Sequence, residues 1–160
     1  MERRPLAAFP VLMPFLTLGA ISASAQDSSV AKSAEQTIRT YTDAFAAGDV
    51  GAIADHCWEP FMWMTAQQVM LLAGRPETEA TYGKALEALR TRGYSHSVWT
   101  SLKAQALGPV TAIVSGVAVR YAGGTRELER IGATYIVRQA SDRWKIAVLV
   151  SHPPTDALKL

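Results

Sequence analysis

The side chains of this sequence that could carry chemistry are few and scattered. There are three histidines, His56, His96 and His152, and one cysteine, Cys57, in 160 residues. The histidines have none of the close spacings that present two imidazoles to one ion, so no metal site is expected. Gly123-Gly124 reads as a hairpin tip, and no phosphate or dinucleotide loop is present, so no cofactor is expected either. Asp55 and His56 are adjacent, and on a helix only one of them can face inward. Helical spacing pairs His56 with Ala52, which makes His56 a partly buried structural, ligand-facing or basic group. Glu59 precedes Pro60 in a turn. His96 falls in the loop GYSHSVW, and His152 follows the last strand, near the mouth of any cavity there. Alternation along 126–138 puts Glu127, Glu129, Ile131, Ala133 and Tyr135 on one face. Arg120, near the end of the preceding strand, is within reach of Glu129. That pair is either a cross-strand ion pair at the sheet edge or a pair inside a cavity mouth that orients a polar ligand. Cys57, alone, reads as a buried free thiol rather than a nucleophile.

The remaining distinctive residues are apolar. Trp58, Phe61, Met62, Trp63 and Met64 cluster, with Met70 just beyond. Flat rings and adaptable thioethers suit a cavity for a hydrophobic ligand, and they equally suit a small core.

Several elements must position these groups. Val30, Ala34, Ile38, Tyr41 and Phe45 form one helical stripe, with Asp27, Ser28 or Ser29 as caps at its start. Gly48 ends that helix, and Asp49 caps a second running from Val50 to about Cys57. Pro60 stops what precedes it. Residues 61–65 and 69–72 read as a short hairpin. Gly74-Arg75-Pro76 opens a third helix whose buried face is Tyr82, Ala85, Leu86 and Leu89, and Gly93 ends it. Four strand-like runs follow, at 98–107, 110–121, 126–138 and 144–151. The 110–121 run is apolar on both faces, with Ile113, Val117 and Val119 on one and Ala112, Val114 and Ala118 on the other. An antiparallel strand with one wet face should alternate apolar and polar. A homodimer through the sheet is therefore expected.

Composition sets the bounds. With 49% apolar and 19% charged residues the chain is globular. Arg3 and Arg4, the apolar run 6–21 broken by Pro10 and Pro14, and the A-x-A site at Ala23 and Ala25 have the layout of a secretory signal peptide cleaved after Ala25. The expected domain is 26–160, periplasmic or secreted, with no membrane span after cleavage. Removing Glu2, Arg3 and Arg4 leaves 14 basic and 13 acidic residues, net +1, which is no footprint for nucleic acid.

The order of elements, the segment YTDAFAAGD (41–49) and the closing run WKIAVLVSHPP (144–154) resemble the nuclear-transport-factor-2-like superfamily, in particular its SnoaL-like members, over about Val30–His152. The resemblance implies an α+β fold, a cone-shaped curved antiparallel sheet wrapped around helices packed on one face. That superfamily includes ketosteroid isomerases, polyketide cyclases, dehydratases, epoxide hydrolases and members that only bind or associate, so the fold does not settle function. Of the isomerase pattern only the tyrosine, Tyr41, is met. The position of the aspartate base falls on Thr65, whose hydroxyl is too weak a base, and the second acid position falls on Ala133. Arg120 and Glu129 imitate half of the Asp–Arg–Asp set of the epoxide hydrolases. The expectation is an exported domain that binds an apolar or aromatic small molecule in a pocket of Tyr41, Trp58, Trp63, Thr65, Arg120 and Tyr135. One alternative is a cofactor-independent isomerase, cyclase or dehydratase using Tyr41 with His56 or Glu129. A second is a dimeric association domain.

Overall fold

The computed structural model describes residues 19–160, with side chains from Ser24 onward. Most of the expected signal peptide lies outside the described residues. Helix α1 spans Gly19–Ala47 and runs unbroken through Ala25 and Gln26. Asp27, Ser28 and Ser29 therefore lie inside the helix and do not cap it. Only its later part packs: Val30, Ala34, Ile38, Tyr41 and Phe45 are all buried, whereas residues 24–29 are exposed. Gly48, at φ +71°, takes the left-handed turn that ends α1. Asp49 then caps α2 (Val50–His56), its carboxylate accepting from Ala52 N at 2.9 Å.

Strand β1 (Cys57–Met64) starts earlier than the sequence suggests and passes through Pro60. The ladder explains why. Pairing of β1 with its neighbour β6 shifts register between Cys57 and Met62, so the missing N–H of Pro60 falls where no regular bond is made. β2 (Val69–Leu72) completes the expected hairpin. α3 (Arg75–Thr91) buries Tyr82, Leu86 and Leu89. β3 (Tyr94–Ala106) starts before the expected boundary, so His96 is a strand residue rather than a loop residue. β4 (Thr111–Ala122), β5 (Arg126–Ala140) and β6 (Arg143–His152) form the meander, and a 3-10 turn at Pro154–Asp156 leads into the tail.

The six strands lie in the order β2-β1-β6-β5-β4-β3. All pairs are antiparallel except β1 with β6, which is parallel, so the sheet is mixed rather than wholly antiparallel. Register shifts interrupt each of the long ladders, at Trp99/Ser101, Arg120/Tyr121 and Ile136/Val137 among others. Such bulges raise the local twist and curl the sheet. The helices fill its concave side, with Ile38, Ile53, Phe61, Tyr82, Val114, Val137 and Ile146 fully buried between them and the sheet. Where β3 crosses β4 most closely, Gly116 has no room for a Cβ, which would strike the Ser101 carbonyl oxygen and Leu102.

The convex side is only partly wet. Ser115 and Val119 are already buried within the single chain. At Ser115 the cover is the tail, since Leu158 N donates to its hydroxyl at 3.0 Å. Half-buried Met62, Met64, Val148, Val150, Ile136, Ile113 and Val117 continue an apolar band across that side.

Candidate functional site

The concave side holds a cleft with two lobes that share Tyr41, Phe45, Arg120, Ile131 and Tyr135. The larger lobe has a cavity volume of about 190 Å³ and adds Trp63, Tyr82, Leu89, Ala133, Leu149 and Ser151 to the wall. The smaller, about 40 Å³, adds Thr42, Ser97, Trp99 and Ala118. The larger lobe is of the size that takes a small aromatic ring system, and the smaller extends it.

Packing fixes the rings of the larger lobe. Trp63 stacks on Tyr82 at 5.2 Å between centroids, and Phe61 stacks on the same ring from β1 at 6.1 Å. Trp63 Nε1 donates to Ser151 Oγ at 3.0 Å, across the parallel β1–β6 pair. In the smaller lobe Trp99 Nε1 donates to Thr42 Oγ1 at 3.0 Å. Each indole thus lines the cleft with its polar edge satisfied.

Tyr41 stands at the centre. Its hydroxyl donates to that of Tyr82 at 3.0 Å, and its ring meets Tyr135 edge-on at 6.0 Å. Burial pushes both Tyr41 and Tyr82 well above the ordinary phenol range. Burial also raises Tyr135, against the pull of nearby Arg120. All three remain neutral phenols at any ordinary pH.

Among the described residues that line the cleft, Arg120 is the one that carries a charge. Its Nη1 donates to Glu129 Oε1 at 2.7 Å. Its guanidinium carbon lies 5.7 Å from the Phe45 ring centroid. Its Nε is buried with no hydrogen-bond partner among the described residues. The side chains of this pair are 20% and 28% exposed; Arg120 lines both lobes and Glu129 lines neither. Glu129 also accepts from Arg92 Nη2 at 2.9 Å. Burial pushes the Glu129 carboxyl up, but the bonds from Arg92 and Arg120 outweigh it and hold the group below the usual range.

The other sequence candidates fall elsewhere. His56 lies behind the Tyr41 ring, edge-on at 6.5 Å, and lines neither lobe; desolvation lowers its pKa. Trp58 and Thr65, expected in the pocket, line neither lobe. Thr65 sits in the β1–β2 turn, where its hydroxyl accepts from Gln67 N and Gln68 N at 3.2 Å. His152 is on the convex side, bonded to Thr134 Oγ1 at 2.9 Å, and not at the cleft mouth. The bulge at Arg120/Tyr121 turns Glu127 away from Glu129, and Glu127 pairs with Arg130. Leu128 packs toward the core in its place. His96 stacks on Tyr121 at 5.1 Å. Cys57 is buried, and desolvation pushes its thiol up to about 12. Among the described residues no three side chains of His, Cys, Asp or Glu gather as they would around a metal ion.

Sequence reasoning missed Phe45, Trp99, Ser151 and Arg92 as parts of the site. The stripe places Phe45 on the same face as Tyr41 and so could have found it. The other three depend on register and on long-range pairing.

Wall by wall, the cleft offers rings, hydroxyls and one guanidinium. Among the described residues that line the two lobes there is no carboxylate, imidazole or thiol that could take a proton from a ligand.

Comparison with known proteins agrees with this architecture. An NTF2-like protein with a cystatin-like fold from Novosphingobium aromaticivorans superposes with a TM-score of 0.67 at 16% identity, covering 91% of this chain and 95% of that one. An NTF2-like protein of unknown function from Pseudomonas putida gives 0.63 at 16% identity, covering 83% and 96%. An NTF2-like family protein from Streptomyces avermitilis, provisionally called a dehydratase, gives 0.62 at 16% identity, covering 79% and 96%. No curated protein matches the chain in sequence. A family model described as NTF2-like protein (DUF6841) matches residues 31–154, and the chain belongs to that NTF2-like family.

Proposed function

We propose that the chain binds an apolar or aromatic small molecule in the two-lobed cleft and does not transform it. The observation that carries this reading is the make-up of the wall: stacked rings around a volume of ligand size, with no group able to act as a general base. Tyr41, the residue that most resembles a catalytic group, spends its hydroxyl on Tyr82. The reading as an isomerase, cyclase or dehydratase has less support, because His56 stands behind Tyr41 and Glu129 is held as a carboxylate by two arginines. The apolar band on the convex side supports a second copy of the chain as partner there. The signal-peptide pattern of residues 1–25 supports export. The test is titration of the protein with N-phenylnaphthylamine, a neutral hydrophobic fluorophore. Saturable one-to-one binding that Trp63→Ala weakens is expected, and a linear, unsaturable rise would sink the proposal.

A further inference from the structure

We propose that the ligand of this cleft is a hydrophobic monocarboxylate whose carboxylate sits against Arg120 and Tyr135. The inference rests on the small-molecule reading and adds the charge of the ligand. Three observations carry it. First, the polar groups left over in the cleft are donors. Arg120 uses Nη1 on Glu129, its Nη2 makes no hydrogen bond among the described residues, and its Nε is buried without a partner. The Tyr135 hydroxyl takes part in no hydrogen bond among those residues, and its ring lines both lobes together with Arg120. Ser151 accepts from Trp63, which leaves its own proton to give. Second, the local charge is unbalanced. One carboxylate, Glu129, faces two guanidiniums, Arg92 and Arg120, so the cluster carries net +1. A part-buried guanidinium with an unmet donor is costly unless an acceptor completes it. A carboxylate does so best, since planar guanidinium and carboxylate match in geometry and charge. Third, the rest of the wall is apolar and aromatic, so the ligand body must be hydrophobic. A dianion would exceed the single positive charge, and a neutral ligand would leave it unmatched.

The experiment is calorimetric titration of the full chain with naphthoate and with naphthamide, its neutral isostere. Naphthoate is expected to bind about tenfold tighter or more, as a charge-assisted bond in a sheltered site allows. Arg120→Met is expected to bring the two ligands to within about threefold by weakening naphthoate alone, and Tyr135→Phe to weaken naphthoate by about threefold. Glu129→Gln removes the competing negative charge beside Arg120 and raises the local charge, so it should tighten naphthoate; this variant decides the matter should Arg120→Met not fold. Equal affinity for the two probes leaves the small-molecule reading standing and overturns the monocarboxylate assignment. A preference for naphthoate that both Arg120→Met and Glu129→Gln leave unchanged overturns the assignment to Arg120. If neither probe binds and N-phenylnaphthylamine does not bind either, both readings fall together.

Discussion

Replacing Tyr41 by phenylalanine removes one oxygen and keeps the ring, so it separates a core role from a ligand role. The Tyr41 hydroxyl donates to Tyr82 at 3.0 Å with both rings buried. Net, such a bond contributes about 1 kcal/mol, and an orphaned buried hydroxyl adds up to about 1 more. Tyr82 is not fully orphaned, because the Cys57 sulfur stands close enough to share its hydroxyl. A loss of about 1.5 kcal/mol follows. For about 140 ordered residues at roughly 2.1 cal/mol/K each, the unfolding entropy is about 0.3 kcal/mol/K, so Tm should fall by about 5 °C. Tyr82→Phe should cost a similar amount. The double variant should cost about 1 kcal/mol less than the sum, since the second change removes a group already without its partner. The assays are urea unfolding for the cycle and N-phenylnaphthylamine titration for the site, where Tyr41→Phe should leave affinity within about threefold. If Tyr41→Phe leaves stability unchanged and abolishes binding, the hydroxyl serves the ligand and the reasoning about the wall is wrong.

Three further outcomes are expected. Gly116→Ala drives a methyl into the Ser101 carbonyl and should cost about 2 kcal/mol or more, read as a lower urea midpoint; a neutral result would mean that β3 and β4 can part there freely. Cys57 is buried and its thiol is pushed up to about 12, so Ellman's reagent should label it in the native protein only as fast as the protein opens, and at once in denaturant. The pKa of His56 is lowered from 6.5 in the fold by desolvation, so the unfolded chain takes up that proton first. Its contribution to stability is complete above pH 6.5 and lost as pH falls through the folded value. His56→Gln should flatten the urea-midpoint profile over that window, and an unchanged slope would contradict the burial assigned to His56.

Elements set by local rules were readable from the sequence, and features set by register were not. The Val30–Phe45 stripe, the Gly48-Asp49 stop and cap and the Gly74-Arg75-Pro76 start all specify their own conformation, and they stand where expected. Pro60 was misleading because proline argues against a strand only where a ladder bond is needed, and β1 has a register shift there. Glu127 was misplaced because simple alternation knows nothing of the bulge opposite Arg120 and Tyr121. Thr65 falls at the base position of the isomerase pattern, but that pattern does not say where the β1–β2 hairpin turns, and the turn takes its hydroxyl. The Arg120–Glu129 pair was visible as a cross-strand option. Arg92, which unbalances its charge, comes from the end of α3 and could not be found by reading β4 and β5 alone. The cover that the chain's own tail gives Ser115 on the outer side of β4 comes from 43 residues away and has no signature in the strand itself.

The parallel pairing of β1 with β6 also dictates the order in which the molecule can assemble. β6 stands between β1 and β5, so the early hairpin of β1 and β2 has no sheet to join until residues 143–152 exist. The ladder that closes the sheet joins residues 57–64 to residues 146–150, a high-contact-order step that must come late and slowly. The larger lobe inherits this timing, because Trp63 and Ser151 come one from each strand of that pairing. A ribosome-bound chain lacking its last strand therefore lacks Leu149 and Ser151 of the larger lobe's wall. If the chain crosses a membrane unfolded, the same wiring defers closure of the cup until the last strand has arrived on the far side.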